Sequence, residues 1–344
     1  MDGTYHLPSP AFTTRPPVVR NAGLISAATL APMRLAWDVR HYHARNVTMH
    51  DMRDVFVVGE GLVFDRDLAI MPASITQHTP TEIEAAQHRL QAALAAKAVA
   101  RQHGQTILCL KRGTTNYGHW LVEMLPVAFL CLGALQARKM FVLAPAPGGP
   151  LGAVPADSLD LLGVPSDQVR GSGGSPQWFE RLLVPEGLTW HGHYISPLVL
   201  EALDRMGHGI PPGRASRVWV SRAGDHRALH REAGLCAALA GLGWAIVQPS
   251  RMRLRDQVAL FKGARHVAGV AGAGLANLVF APPPARVTGF VPAAMQDTFF
   301  WLLSELRGHD YTDVRCPAVG PATGPMPWDA ALTMPVPEIL SHLA

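Results

Sequence analysis

A regular alternation of strand-like and helix-like segments after residue 216 constrains the fold more than any other feature of this sequence. Helix-like runs from His230 to Leu242 and from Leu254 to Gly263 separate short runs that are rich in Val and Ile. A strand, a crossover helix and a second strand give parallel pairing. The sequence therefore predicts a Rossmann-like α/β domain whose strands occupy 217–222, 244–247, 265–270 and 286–291.

The segment before this domain has a different pattern. Two β-type runs, Asp54–Gly59 and Gly61–Ile70, break at Gly and Asp and predict a hairpin. Thr79 and Glu82 form a capping box for a helix that we expect to run to His103. An α/β alternation follows, with strands at 106–110 and 140–143 around a helix at 119–137.

Glycines and prolines in GHGIPPGRAS, residues 207–216, indicate a linker. We therefore expect an N-terminal α/β domain over residues 1–206 and a C-terminal domain over 207–344. The tail of the second domain is a candidate to pack back on the first.

Composition excludes several classes of protein. The chain is 48% hydrophobic and 16% charged with a net charge of +4, so long disorder and a nucleic-acid patch are not expected. No apolar run is long enough to span a membrane, and the N-terminus lacks a signal-peptide pattern. The four cysteines form no CxxC pair, which favours buried free thiols and a cytoplasmic protein.

A glycine-rich turn follows the third strand of the predicted C-terminal domain, in Gly269-Val-Ala-Gly-Ala-Gly-Leu-Ala-Asn277. Residues without a Cβ let the backbone approach a diphosphate, and the following helix start favours negative charge. Gly272, Ala273 and Gly274 are therefore candidate phosphate-binding positions. Tight packing alone also explains such a turn, and the motif is not the GxGxxG fingerprint.

Two groups of polar residues lie near predicted element ends. His119 and Glu123 are four residues apart, so they share a helix face as a candidate general base and its partner, or as a surface pair. Ser221 and Arg222 end a strand and Arg227 follows, where guanidinium groups could hold phosphates or simply face solvent.

Three motifs resemble metal sites, but their context does not favour metal binding. Asp65-Arg-Asp67 falls at the predicted hairpin turn, where Asp is a common turn former. The pairs His41/His43 and His191/His193 have no third ligand nearby in the sequence. We therefore predict no metal and no cofactor.

The ordered set NYGHWLVEMLP, VWVSRAGDHR, RDQVALFKGARHVAGV and AGAGLANLVFAPP resembles glycosyltransferase family 61. That family includes plant xylosyltransferases, the EGF-domain O-GlcNAc transferase and bacterial polysaccharide enzymes. The resemblance implies a GT-B-like fold, with two Rossmann-like domains facing across a cleft. It also implies inverting, metal-independent transfer from a nucleotide-sugar, expected to be UDP-linked, to a glycan or other hydroxyl acceptor.

The same resemblance bears on individual residues, since His119 and Glu123 match the family's His-x-x-x-acid motif and Asn116 and Tyr117 would lie on the acceptor side. Our candidate for the base is Glu123, oriented or assisted by His119, with His119 as the next candidate. The positions that match the donor side are Ser221, Arg222, Arg227, Gln257, Gly272, Ala273, Gly274 and Asn277.

The chain departs from the family pattern at three positions, Ala271, His230 and Gly289, which replace a His, an Asn and an acid. These departures keep open a second interpretation, a nucleotide- or glycan-binding protein descended from such an enzyme. A Rossmann oxidoreductase is disfavoured because neither first βα turn carries a glycine fingerprint followed by a ribose-binding acid.

Overall fold

The structure is a computed structural model that describes residues 3–344 and divides into two compact units. Of the described residues, the first unit contains 3–10, Ala44–Trp190 and Ser196–Met206. The second contains Ala11–His43, His191–Ile195 and Gly207–Ala344. The predicted first domain, 1–206, therefore included two segments, 11–43 and 191–195, that the structure assigns to the second unit.

A seven-stranded mixed sheet forms the centre of the first unit. Its hydrogen-bonded order is Gly3–Ser9, Arg45–Val58, Gln177–Glu186, Ala100–Leu108, Phe141–Pro145 and Val169–Ser172, with Leu62–Phe64 also paired to Arg45–Val58. The last four strands in this order are parallel, whereas Arg45–Val58 is antiparallel to each of its partners. The sheet thus combines a parallel α/β part with the predicted hairpin.

The helix that packs on this hairpin ends earlier than predicted. It spans Pro80–Ala95 and begins with the predicted capping box between Thr79 and Glu82. Lys97 adopts a left-handed conformation with φ 53°, and the strand Ala100–Leu108 follows. The expected extension to His103 is therefore wrong, because strand pairing to Gln177–Glu186 overrides the helix propensity of an Ala-rich run.

The remaining elements of the first unit are short. They comprise the helical segments Pro72–Ser74, Tyr117–His119, Trp120–Met124, Leu125–Leu130, Leu132–Gln136, Val154–Leu162, Ser166–Gln168 and Leu198–Gly207, whose last residue belongs to the second unit, and the strand Thr189–Trp190. Valines, leucines and a phenylalanine from the sheet and its hairpin form the core: Val55, Val57, Val63, Leu108, Leu110, Leu143, Phe179, Leu182 and Val184.

The second unit contains an entirely parallel six-stranded sheet. Its order is Ala245–Val247, Arg217–Val220, His266–Val270, Arg286–Pro292, Asp310–Cys316 and Val18–Arg20. The strand Arg217–Val220 comes first in the sequence of this sheet after residue 216, and it lies between Ala245–Val247 and His266–Val270. This confirms the predicted parallel α/β pattern, and the segment near residue 18 adds an edge strand that its weak pattern did not predict.

Helices cover the second sheet, and the C-terminal tail is one of them. Ile339 and Leu343 of the tail helix Val336–Leu343 join Trp219 and Phe290 in the core of the second unit. The tail, which the sequence offered as a candidate to pack on the first domain, thus contributes to the core of the second unit. The other elements of this unit are Phe12–Thr13, Ala22–Leu24, Ala27–Trp37, His41–Tyr42, Tyr194–Ile195, Glu232–Gly241, Pro249–Arg251, Leu254–Gly263, Ala273–Phe280, Phe299–Arg307, Ala318–Val319 and Ala331–Leu332.

All four cysteines are free, with Cys109 and Cys316 buried and Cys131 and Cys236 half-buried. Within residues 3–344, every helix is too short or too polar to traverse a bilayer.

Candidate functional site

The first cluster of functional side chains begins where a loop enters a helix in the first unit. Asn116 precedes the helical turn Tyr117–His119, and its side-chain oxygen accepts a hydrogen bond of 2.8 Å from the Gly118 N–H. Asn116, which we expected on the acceptor side, is therefore an N-cap. This cap fixes the direction in which the next residues leave the loop.

An unusual helical geometry follows this cap. Residues Trp120–Met124 form a π-helical turn and all five are buried, before an α-helix resumes at Leu125. Pro126 lacks the N–H that an α-helix would use to bond the carbonyl four residues earlier, which favours a wider turn at this point. The continuous α-helix expected over 119–137 is therefore interrupted where the candidate catalytic residues lie.

Glu123 lies between two nitrogen-bearing side chains. Its Oε1 is 3.1 Å from Nδ1 of His119, and its Oε2 contacts Nζ of Lys111. The Glu123 side chain is 0% exposed and that of His119 is 19% exposed. A buried carboxylate needs such partners because an uncompensated charge in the interior is costly.

Lys111 was missed by the sequence analysis. It follows directly after the apolar run Thr106–Leu110, and it is buried. The sequence signal that could have identified Lys111 is a lysine directly after an apolar strand. A lysine that is buried at such a position implies a carboxylate partner.

A second carboxylate holds the loop that joins Lys111 to the helix. Glu60 accepts hydrogen bonds from the N–H of Gly113, and from both the N–H and the hydroxyl of Thr114, at 3.1, 3.1 and 2.6 Å. Gly113 has φ +94°, and a Cβ there would lie 3.0 Å from the ring of His119. The loop backbone therefore packs directly on the imidazole and restricts its movement.

This geometry bears on the roles that the sequence suggested for His119 and Glu123. The carboxylate of Glu123 is buried and close to two nitrogen atoms, so it is poorly placed to accept a proton from a substrate. The imidazole of His119 is partly exposed, and Glu123 faces its Nδ1, so Nε2 is the ring nitrogen that does not face this carboxylate. A carboxylate in this position fixes the tautomer and the orientation of a histidine base.

The second cluster lies at the carboxyl edge of the parallel sheet in the second unit. Ser221 and Arg222 follow the strand Arg217–Val220, and Gly272 follows the neighbouring strand His266–Val270. The strand order reverses between these two strands. In open α/β sheets, ligands bind at such a switch point, beyond the carboxyl ends of the strands.

Arg222 packs directly against Gly272. A Cβ on Gly272 would lie only 1.7 Å from Nη1 of Arg222, so glycine is required for this contact. The guanidinium donates to the carbonyl of His226 at 3.0 Å, and in the described chain no carboxylate lies within 4 Å of it. Burial, with a smaller contribution from the charge of Arg227, lowers the pKa of Arg222 to about 10.

Arg227 provides a second cation close to the first. Its backbone has φ 62°, its Nε is 3.4 Å from a carboxylate oxygen of Asp329, and its Nη1 is 3.5 Å from the sulfur of Met295. Burial lowers the pKa of Arg227, while the charges of Asp329 and Asp297 oppose that shift. Two mutually repelling, partly buried guanidinium groups favour binding of an anion.

Three other predicted donor residues have their polar groups engaged by protein. Asn277 donates to Gly274 O at 3.1 Å and to Gln257 Oε1 at 2.9 Å, and Gln257 donates to Pro249 O at 2.8 Å. Ser221 Oγ accepts from the Ala223 N–H at 3.2 Å. These contacts hold the glycine-rich turn and the adjacent loops, so we interpret the three side chains as positioning residues.

The turn itself differs from the prediction in one respect. Ala273 opens a 3-10 helix, Ala273–Phe280, where we expected an α-helix. Gly274 packs on Pro249, to whose Cγ an added Cβ would approach within 3.1 Å. Gly272 and Gly274 therefore both lie in close contacts, with Arg222 and Pro249 respectively.

The structure shows the surroundings of the three positions at which the chain departs from the family pattern. Ala271 is buried at the end of its strand, and the backbone N–H of His230 donates to Leu332 O at 2.7 Å. A Cβ on Gly289 would lie 2.6 Å from the hydroxyl of Tyr311, so the phenol occupies the space of a side chain.

Asp65 has a turn-forming role. Its carboxylate accepts hydrogen bonds of 2.9 Å from the backbone N–H groups of Asp67 and Ala69, after the hairpin strand Leu62–Phe64. These contacts are those expected of an aspartate in a turn.

Comparison with known proteins identifies the family. A family model described as Glycosyltransferase 61 matches residues 117–288, which is half of the chain. This match includes His119 and Glu123 in the first unit and the arginines and glycine-rich turn of the second. No curated protein matches the chain closely. The chain therefore belongs to glycosyltransferase family 61 and is a glycosyltransferase.

Proposed function

We propose that this glycosyltransferase is an inverting enzyme that takes a sugar from a nucleoside-diphosphate donor, of which UDP-sugars are the first candidates. The observation that carries the proposal is the position of Arg222, packed on Gly272 at the switch point of the parallel sheet. The acceptor is a glycan or another hydroxyl compound. The fold class that accompanies this proposal is GT-B, with the second unit binding the donor and the first the acceptor.

The charges at this edge of the second sheet support an anionic donor. The positive charge of Arg227 disfavours the charged form of Arg222, and Arg222 has no carboxylate within ion-pair distance in the described residues. A diphosphate would relieve that repulsion and accept charge-assisted hydrogen bonds. It would also gain charge as the sugar leaves, and fixed cations stabilise that charge in the transition state without a metal.

His119 is our proposed base. In the transfer step, the acceptor hydroxyl gives its proton to Nε2 of His119 while its oxygen forms a bond to the anomeric carbon. The bond from that carbon to the donor phosphate breaks, and its electron pair leaves with the nucleotide. Glu123 holds Nδ1 of His119 and stabilises the imidazolium that forms, which replaces the direct role that the sequence suggested for Glu123.

The alternative function is a nucleotide- or glycan-binding protein without turnover. Two observations favour this alternative: Ala271 stands where the family pattern has a His, and Gly289 stands where it has an acid. Donor hydrolysis or sugar transfer by the wild-type protein decides between the two.

A thermal-shift screen against UDP, GDP and CMP tests the donor proposal. At 100 times its Kd, a ligand stabilises the folded state by about 2.7 kcal/mol, which raises the Tm by roughly 4 °C if the chain unfolds as one unit. We expect this shift with a nucleoside diphosphate and its loss in Arg222→Ala. Arg217→Ala is a matched control, because Arg217 is exposed at the opposite end of the same strand. An unchanged shift in Arg222→Ala would contradict the proposal.

A further inference from the structure

A carboxylate that the proposed mechanism does not use lies beside the candidate donor site of the second unit. It belongs to Asp329, whose Oδ1 is 3.4 Å from Nε of Arg227, and the two side chains are only 7% and 16% exposed. Within the described part of the chain, no other carboxylate lies within 4 Å of Arg227. Asp329 is therefore the resident counter-ion of one of the two arginines that would bind the diphosphate.

The loop that contains Asp329 fixes the position of its carboxylate. Oδ2 of Asp329 accepts a hydrogen bond of 3.0 Å from the N–H of Met326. The carbonyl of Asp329 accepts from the N–H and the hydroxyl of Thr323, at 3.1 and 3.0 Å. A Cβ on Gly324 would lie 2.5 Å from Oδ2, so the carboxylate packs directly on the loop backbone. These contacts hold Asp329 in place independently of Arg227.

The end of the same loop is hydrogen-bonded to the segment that carries Arg227. The N–H of Leu332 donates to the carbonyl of Ala228 at 2.9 Å, and the carbonyl of Leu332 accepts from the N–H of His230 at 2.7 Å. The carboxylate and the guanidinium are thus held by two segments whose backbones pair with each other.

The charge of Asp329 acts on both arginines of the candidate site. Burial lowers the pKa of Arg227, and Asp329 is the larger of the two carboxylate charges that oppose this shift. Burial and the charge of Arg227 lower the pKa of Arg222 to about 10, and there too the charge of Asp329 acts in the opposite direction. A diphosphate bound by these arginines would therefore be repelled by an anion that already neutralises part of their charge.

We propose that Asp329 is a specificity-determining residue of the donor site, a resident anion that competes with the donor's diphosphate for Arg227. When the nucleotide binds, Arg227 exchanges the carboxylate for phosphate oxygens, which carry more negative charge. Ligands with little charge do not displace the carboxylate, and the carboxylate neutralises Arg227 again when the nucleoside diphosphate leaves. This inference rests on the proposed function and adds to it a residue that selects ligands by their charge.

The experiment removes the charge of Asp329 and varies the charge of the ligand. Asp329→Asn keeps the shape of the side chain and an acceptor oxygen for the N–H of Met326. Asp310→Asn is the matched control, because it removes a carboxylate from the pair with Arg15, at the amino end of a strand of the same unit. Dissociation constants for UDP, UMP and uridine are measured by calorimetry on each protein at one low salt concentration. The guanine equivalents are used if the wild type prefers guanine.

We expect Asp329→Asn to bind UDP about tenfold more tightly than the wild type, because a like charge no longer opposes the diphosphate. The gain for UMP is smaller, and the Kd for uridine stays within about twofold of the wild-type value, because the effect follows the charge of the ligand.

An altered loop would change the binding of uridine as well, so equal changes for UDP and uridine overturn the inference. Unchanged or weaker UDP binding in Asp329→Asn also overturns it, as does an equal gain in Asp310→Asn. If neither the wild type nor Asp329→Asn binds any of the nucleotides, the proposed function itself fails, and the inference fails with it.

Discussion

Replacement of Gly272 by alanine is a sharp perturbation of the candidate donor site. Gly272 has φ 179°, an extended conformation that alanine adopts without strain. The new methyl group would lie 1.7 Å from Nη1 of Arg222, whereas such atoms settle at about 3.5 Å. The guanidinium must therefore move by roughly 2 Å. Its hydrogen bond to His226 O and its predicted phosphate contacts would be lost.

The affected atoms belong to the end of a flexible side chain, so the fold should tolerate the change. Loss of hydrogen bonds to a charged group costs about 1.5 to 3 kcal/mol, which corresponds to a roughly 10- to 150-fold higher Kd for UDP. Calorimetric titration of wild type, Gly272→Ala, Arg222→Ala and the double variant measures this cost. Because both changes act through one guanidinium, the double variant should bind no more weakly than Arg222→Ala.

Two results would refute this reasoning. Gly272→Ala with wild-type affinity for UDP would show that Arg222 does not contact the ligand. Independent, additive losses in the double variant would show that Gly272 acts through something other than Arg222. A melting temperature within about 2 °C of wild type is the control that the fold is retained.

Three further predictions concern other parts of the molecule. Glu123→Gln should lower the free energy of unfolding by about 3 kcal/mol because it leaves Lys111 buried beside a neutral amide, and adding Lys111→Met should recover part of that loss in urea denaturation. His309 is buried, burial lowers its pKa to about 4, and its Nδ1 accepts from the Ala285 N–H. Between about pH 6.5 and pH 4, His309 therefore binds a proton in the unfolded chain but stays neutral in the native state. Stability should fall by roughly 2 kcal/mol as pH drops from about 6.5 toward 4, and His309→Asn should remove that part of the slope between urea curves at pH 7 and pH 5. Transfer should continue in EDTA; loss of activity that added metal restores would contradict the mechanism.

The parallel part of the fold was predictable because the spacing of apolar residues within each segment indicates whether it forms a strand or a helix. The helix Leu254–Gly263 has the predicted bounds, and the strand after it lies within one residue of expectation. The edge strand Val18–Arg20 was not predictable, because it has little pattern of its own and depends on pairing with Asp310–Cys316. The end of the helix Pro80–Ala95 was missed for a related reason, since sheet pairing decided the state of an Ala-rich segment.

The candidate site was predictable as a set of residue positions but not as a set of roles. Spacing indicated that His119 and Glu123 would meet, yet only the structure shows Lys111 on the other carboxylate oxygen. Similarly, the sequence suggested Asn277 as a ligand, whereas its amide binds the backbone of the turn. Which polar atoms remain available to a substrate depends on contacts between distant segments, and no local pattern records these.

The most direct test of the central claim is the rate of sugar transfer by His119→Ala at saturating donor and acceptor. A general base commonly contributes about 10² to 10⁴ in rate, or roughly 3 to 5 kcal/mol of barrier. We predict a loss of that size, with the Kd for the nucleoside diphosphate within about twofold of wild type because the proposed donor residues are in the other unit. A transfer rate within about threefold of wild type would contradict the assignment of His119 as the base.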